Sequence, residues 1–202
     1  MRAAAGTMAV MVSLAAACAA PMPDLGSTTP EPVAPAPATP SMTATPVART
    51  VPVDAGLLAL LPDAVDGIIV RPDPETAADI ARDPALARDA SGIAVALVIA
   101  PSELDTEIAV ANVVQLRPGT FDESFFAAWR ETYDDGACAP AGGVSGRAVA
   151  GIEGHLAHIG TCQGGARTYH VHLPGPDILV SVTALGDRRL GEKLIAALEP
   201  GG

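Results

Sequence analysis

Nine of the chain's nineteen prolines fall between residues 19 and 53, interleaved with Ala, Ser and Thr and with almost no large apolar side chain. Such a stretch cannot bury enough surface to offset the entropy of an ordered chain, and proline biases it toward extended polyproline II. It therefore divides the 202 residues. Residues 18–53 read as a tether. Residues 54–202, about 150 in all, suit one compact domain.

Upstream of the tether, Arg2 is the only charge before Asp24, and residues 3–17 are Ala, Val, Met and Leu with a little Gly, Ser and Thr. A basic start, an apolar run of roughly 7–15 residues and small residues at its end define a secretory signal. The run is shorter than the ~20 apolar residues a membrane-spanning helix needs. It closes as Leu14-Ala15-Ala16-Ala17-Cys18. That ending resembles the bacterial lipoprotein signal, in which residues 1–17 would be removed and the Cys18 thiol acylated with palmitate. In that class leucine usually stands three positions before the cysteine, where this chain has Ala15. The resemblance implies export and a lipid anchor on the outer face of the cell membrane. Ordinary cleavage after Ala17 or Ala20, releasing a secreted protein, is the alternative.

The formal charge of −11 resides in the domain, because Arg2, Arg49, Asp24 and Glu31 cancel in the first 53 residues. An acidic domain is a poor nucleic-acid binder, since phosphate neutralisation needs clustered Lys and Arg. Direct adsorption to anionic lipid is likewise disfavoured. The cysteines follow from the address. With Cys18 lipidated, Cys138 and Cys162 remain as a pair in an oxidising compartment, where a structural disulfide is the expectation. The close-spaced CxxC of redox enzymes is absent.

Along the domain, Leu57 to Leu61 is a short apolar turn or helix stopped by Pro62, followed by the small strand Ile68-Ile69-Val70. Asp73-Pro74 and Asp83-Pro84 are each helix-capping pairs with proline at the first helical position, so residues 74–90 read as two short helices or one kinked helix. Ile93 to Ala100 is apolar on both faces and reads as a covered strand; residues 107–116 alternate like a half-exposed one. Thr120-x-x-Glu123 reads as a capping box opening a helix to about Tyr133. Phe121, Phe125 and Trp129 fall four apart on it, with Tyr133 one more step along, a packing face or a ligand ledge. A strand over 147–161, the turn Gly164-Gly165, a strand over 167–173 and a strand from Ile178 form a three-stranded meander. Asp187 is placed to cap a closing helix with Leu190, Leu194 and Leu198 inward. The fold class is α+β: an antiparallel sheet packing its apolar side on helices, ending in the meander and a C-terminal helix.

As a whole the chain resembles a loose class of actinobacterial-type exported lipoproteins. The resemblance rests on the cysteine after an Ala-rich signal, the Pro/Thr tether, the Leu-Leu-Pro62 opening with Val65 and Gly67, and the final strand–strand–helix ending Leu-Ile-Ala-Ala-Leu198. The class has no assigned chemistry, so it implies no active-site residues.

All four histidines lie within eighteen residues: His155, His158, His170 and His172. With a two-residue turn at Gly164-Gly165, pairing places Ala157 opposite His172 and Ile159 opposite His170. His155, His170, His172 and Glu153 then share an outward face, a candidate ligand set for zinc, copper or nickel. His158 looks inward. A one-residue slip would exchange His155 for His158. Catalytic signals are thin. Ser145 lacks the Gly-x-Ser-x-Gly elbow, Ser102 has no evident base, and no loop shows a phosphate or dinucleotide fingerprint, so no cofactor is implied. The chain thus reads as an exported, membrane-anchored, non-enzymatic module that binds an envelope protein or small ligand. A metal-binding protein and a purely structural envelope protein are the alternatives.

Overall fold

Asp-Pro pairs set the first helices. In a computed structural model, which describes residues 50–100 and 107–199, Asp73 accepts from the Thr76 amide at 3.1 Å and opens α1 (Pro74–Ile80). Asp83 accepts from the Ala85 amide at 2.8 Å and opens α2 (Pro84–Asp89). In both, proline fills the first helical position, where a missing N–H costs nothing. The leader, Cys18 and most of the tether lie outside the described residues, as does Ser102. Among the described residues no helix is long and apolar enough to cross a membrane.

The tether ends sooner than composition suggests. Val51 is buried and its amide donates to Ala81 O, while Val53 bridges Ile93 in parallel. Val-Pro-Val alternates as an edge strand does, and Pro52, which has no N–H, contributes its carbonyl to the Ile93 amide.

A 3-10 helix (Ala55–Leu60) and a two-stranded ribbon, β1 (Ala64–Val65) and β2 (Ile68–Ile69), precede the main sheet. That sheet has seven strands in the order β3-β4-β5-β9-β8-β7-β6. They are β3 (Arg71–Pro72), β4 (Ala90–Ala100), β5 (Glu107–Leu116), β6 (Val144–Ile152), β7 (His155–Cys162), β8 (Arg167–Leu173) and β9 (Ile178–Leu185). Every neighbouring pair is antiparallel. From β5 the chain passes through α3 (Glu123–Cys138) to the far edge, and a four-stranded meander walks back until β9 pairs with β5.

Both faces of the sheet are covered, not one. On the first, Ala94, Ala96, Ala109 and Ala111 leave room for the 3-10 helix and for α4 (Leu190–Ala196). Leu190, Leu194 and Leu198 are buried there, each contributing roughly 1.5–3 kcal/mol. On the second, Leu86, Ala87 and Phe126 from α2 and α3 pack on Ile93, Val114, Leu116 and Leu179. Strand β5 is therefore central rather than half-exposed.

Four local expectations are corrected. Residues 147–161 are not one strand: Glu153 (φ 43°) and Gly154 (φ 90°) make a left-handed two-residue turn between β6 and β7, so the meander has four strands and Leu156 is exposed. The β7–β8 loop spans Gln163, Gly164 and Gly165, with Cys162 bonded to Ala166 across it and Gly165 at φ 87°. That is a three-residue connection, and it shifts the register by one. Helix α3 is capped by Asp122, which accepts from the Phe125 amide at 2.7 Å, rather than by Thr120, and runs on to Cys138. Asp187 does not cap α4. The buried Glu107 carboxylate accepts the Asp187 and Arg188 amides, each at 3.0 Å, and the N-cap position falls to Arg189 in a left-handed conformation.

Cys138, the last residue of α3, is bonded to Cys162 at the end of β7, and both are buried. Chain-entropy arguments for a closure of 24 residues put its contribution at roughly 3 kcal/mol. The double variant Cys138→Ala/Cys162→Ala should lose that amount in urea unfolding, and reductant should shift the wild-type midpoint but not the variant's.

Candidate functional site

Helix α3 places two adjacent stripes of side chains on the sheet. Phe126, Arg130, Asp134 and Cys138 recur every four residues, so they share one face and reach toward β7 and β8. Phe125, Trp129 and Tyr133 recur in the same way one position earlier and reach toward β5 and β9.

The first stripe carries a buried polar relay. Asp134 Oδ1 accepts from Thr168 Oγ1 and lies 2.9 Å from His170 Nε2. His170 Nδ1 lies 3.0 Å from Ser181 Oγ, which in turn accepts from the Trp129 indole at 3.1 Å. Thr168 Oγ1 also accepts the Gly160 amide. Gly160 is required here: a Cβ would stand 2.3 Å from Thr168 Oγ1 and 2.8 Å from both Asp134 oxygens. Arg147 Nε approaches Asp134 from the surface at 3.5 Å. Burial pushes the Asp134 carboxyl up, but the hydrogen bonds from His170 and Thr168, with the charges of His170 and Arg147, outweigh it and hold the group below its ordinary value.

Ser181, His170 and Asp134 have the composition of a hydrolytic triad, but the geometry argues for a tie between helix and sheet. Ser181 is 1% exposed and closed off by Trp129, and it lines neither of the two cavities beside α3. Ser145 Oγ, the other serine weighed, donates to Thr161 O at a strand irregularity.

The one-residue register shift decides the histidines. His158 now pairs with His170, and both face α3 together with His172. They do not converge on one point. His158 contacts Arg130 and meets the edge of Phe126; its imidazole is held below its usual value by burial first and then by the Arg130 charge. His172 stacks on Phe121 at 3.4 Å between ring centroids and bonds Asp177 Oδ1 at 3.0 Å. His155 pairs with Ile152 on the opposite face of the sheet, and Glu153 sits in the turn beside it. The proposed set His155, His170, His172 and Glu153 is thus split between two faces and a turn. Among the described residues no group of three or more His, Cys, Asp or Glu is placed to hold a metal ion.

The aromatic residues also divide. Phe121 precedes the helix and packs on His172, whereas Phe125 and Trp129, joined by Tyr133, form the wall of a cavity of about 420 Å³ between α2 and α3. Leu86 of α2 and Ile93 and Val114 of the sheet oppose that wall. Asp83, Arg88, Asp89 and Thr132 also line it, together with the polar ends of Tyr133 and Asn112. Tyr133 Oη receives Asn112 Nδ2 at 2.8 Å and Thr183 Oγ1 at 3.1 Å, and burial raises its phenol pKa, keeping it neutral. Asn112 Oδ1 is buried with no partner. Sequence periodicity exposed the Phe125–Trp129–Tyr133 stripe. Asp134, Asn112 and Ser181 carry no local signal, because their roles depend on strands far away in the chain.

Because Asp134 titrates lower in the folded chain than in the unfolded one, it stabilises the fold above the ordinary value of 3.8, and that stabilisation disappears as pH falls through the folded value. Asp134→Asn should cost about 1.5–3 kcal/mol in urea unfolding at neutral pH. The gap to wild type should narrow progressively as the pH is lowered below 3.8. Comparison of the chain with protein-family models, curated proteins and solved structures finds no match.

Proposed function

We propose that the chain is an exported, lipid-anchored binding protein without enzymatic activity. In this reading its domain, held off the membrane by the proline-rich tether, takes up a small apolar ligand between α2 and α3. The observation that carries this is the cavity of about 420 Å³ walled by Phe125, Trp129 and Tyr133. Its size falls in the usual range for small-molecule sites, roughly 300–1,000 Å³, and its lining is chiefly apolar with few polar groups, as such sites are.

Rigidity supports the same reading. The relay and the Cys138–Cys162 bond tie one stripe of α3 to β7, β8 and β9, so the neighbouring aromatic stripe is in place before a ligand arrives. Preorganisation of that kind lowers the cost of binding. The disulfide also suits an oxidising compartment outside the cytoplasm, in keeping with the leader and Cys18.

A neutral apolar fluorophore tests the reading. N-phenyl-1-naphthylamine added to the purified domain should show saturable fluorescence enhancement. Ala128 is exposed on α3 and lines the cavity, so Ala128→Phe fills the space without disturbing the core. That variant should weaken binding by about tenfold or more, equivalent to about 1.4 kcal/mol, with an unchanged urea midpoint. In cells, Cys18→Ser should move the protein from the membrane pellet to the soluble exported fraction. Absence of saturable binding would leave a purely structural envelope protein as the better account, and membrane retention of Cys18→Ser would remove the lipid anchor.

A further inference from the structure

We infer that β6 is an interaction edge, pairing antiparallel with β6 of a second copy of this chain about a two-fold axis at Ala150 and joining two seven-stranded sheets into one. The inference stands apart from the cavity and from any ligand in it.

The two ends of the sheet differ. At one end β3 is only two residues long and finishes in Pro72. The outer side of β4 is further occupied there by Val53, which bridges Ile93, and by the Asp73 amide, which donates to Val95 O at 2.8 Å. Short strands and proline are ways of closing an edge. At the other end β6 runs nine residues, Val144–Ile152, with no proline and no acidic side chain, and residues 145–149 are all exposed. After one irregularity between Val144 and Gly146 it pairs regularly with β7 as far as Ile152. An open edge of that length is a template for another strand.

The hairpin fixes which backbone groups are open. Ile152 and His155 flank the two-residue turn, so they exchange both backbone hydrogen bonds. Alternation gives the pairs Ala150–Ala157 and Ala148–Ile159 the same role. The amides and carbonyls of Arg147, Val149 and Gly151 therefore point away from β7. Gly160, opposite Arg147, agrees: its amide turns the other way, to Thr168 on β8.

Self-complementarity selects a second copy as the occupant. With the axis at Ala150, Val149 of each copy stands opposite Gly151 of the other. Val149 is 57% exposed, and a Cβ added at Gly151 would meet nothing within 4 Å, so the glycine leaves a notch. The notch is flanked by Leu156, which is paired with Gly151 and is 63% exposed. The valine of one copy thus covers the leucine of the other, twice. The same register brings the half-exposed Arg147 level with the exposed Glu153 of the second copy, placing opposite charges together. An axis at Arg147 would instead set two guanidiniums face to face. Elsewhere the charge of −11 opposes approach of two copies, whereas β6 carries one arginine and no acid. Because the β3 end is closed, the two-fold pairing consumes both open edges and assembly stops at two.

Sedimentation equilibrium on purified protein carrying Cys18→Ser, so that no lipid drives association, tests the inference. A single strand pair is smaller than a standard interface, so monomer and dimer should interconvert with a dissociation constant on the order of 10–100 μM. Val149→Pro deletes two hydrogen bonds by symmetry, and Val149→Glu sets a carboxylate against Leu156 of the second copy. Each should weaken association by about tenfold or more. The urea midpoint, measured at concentrations where the protein is monomeric, should stay unchanged. Should the proline variant fail to fold, Val149→Glu decides the matter, because that side chain is largely exposed. Under mild oxidation Ala150→Cys, which meets its own counterpart across the axis, should cross-link, whereas Ala148→Cys, four positions out of step with its counterpart, should not. Protein that stays monomeric up to about 1 mM would overturn the inference and leave the edge to a strand of another protein. A dimer indifferent to both Val149 variants would overturn it by placing the contact elsewhere, and cross-linking through Ala148→Cys but not Ala150→Cys would overturn the register.

Discussion

Asp134 enters the sheet from α3 where β7 offers no side chain to obstruct it, over Gly160. A carboxylate at 2% exposure is tolerable only if its lone pairs are matched, and here His170, Thr168 and Arg147 match them. The chain of contacts does not stop at the carboxylate. His170 orients Ser181, and Ser181 holds the indole of Trp129, so a single buried charge sets the position of a ring more than one helical turn away on a different stripe of α3. A network of this kind specifies one arrangement, because a displaced helix would leave several buried polar atoms unmatched at once.

The disulfide and the relay act at successive places along α3. Cys138 pins its C-terminal end to β7, Asp134 sits one turn back, Trp129 further along, and Asp122 caps the start. The helix is thus fixed along its length over the β7–β8–β9 half of the sheet. Over the β4–β5 half the cover is the end of α1, whose Ile80 also lines the cavity, and α2, only six residues long. A helix so short cannot fill the space up to α3, and the cavity is what remains. The binding proposal follows from this mismatch: a rigid aromatic wall on one side, a small helix on the other, and a sheet floor with one amide between.

Much of the fold was legible because its signals are local. Asp-Pro caps, the apolar run of β4, the Leu190–Leu194–Leu198 stripe and the pairing of Cys138 with Cys162 need only neighbouring residues or a count of thiols. Register was not local. Glu153-Gly154 makes a turn without the Asn or Asp that usually announces one, and Gly164-Gly165 suggested a two-residue loop where Gln163 makes it three. One residue of slip replaced His155 by His158 among the histidines of one face and dispersed the candidate metal set. Alternation along β8 predicts that His170 and His172 point outward; in the fold α3 covers that face, and the histidines are the partners of Asp134 and Asp177. The aromatic stripe was visible as a periodicity, but whether it packed or walled a cavity depended on the length of α2 against the sheet.

Trp129 is the chain's single tryptophan, so its indole N–H gives one isolated signal in an amide-correlation nuclear magnetic resonance spectrum. That proton is bonded to Ser181 at the end of the relay, and the ring it belongs to forms the cavity wall. The account predicts a single indole cross-peak, protected from solvent exchange, that shifts on titration with a neutral aromatic probe and loses protection in Asp134→Asn. An indole proton that exchanges as freely as in an unfolded peptide, or that ignores both the probe and the substitution, would contradict it.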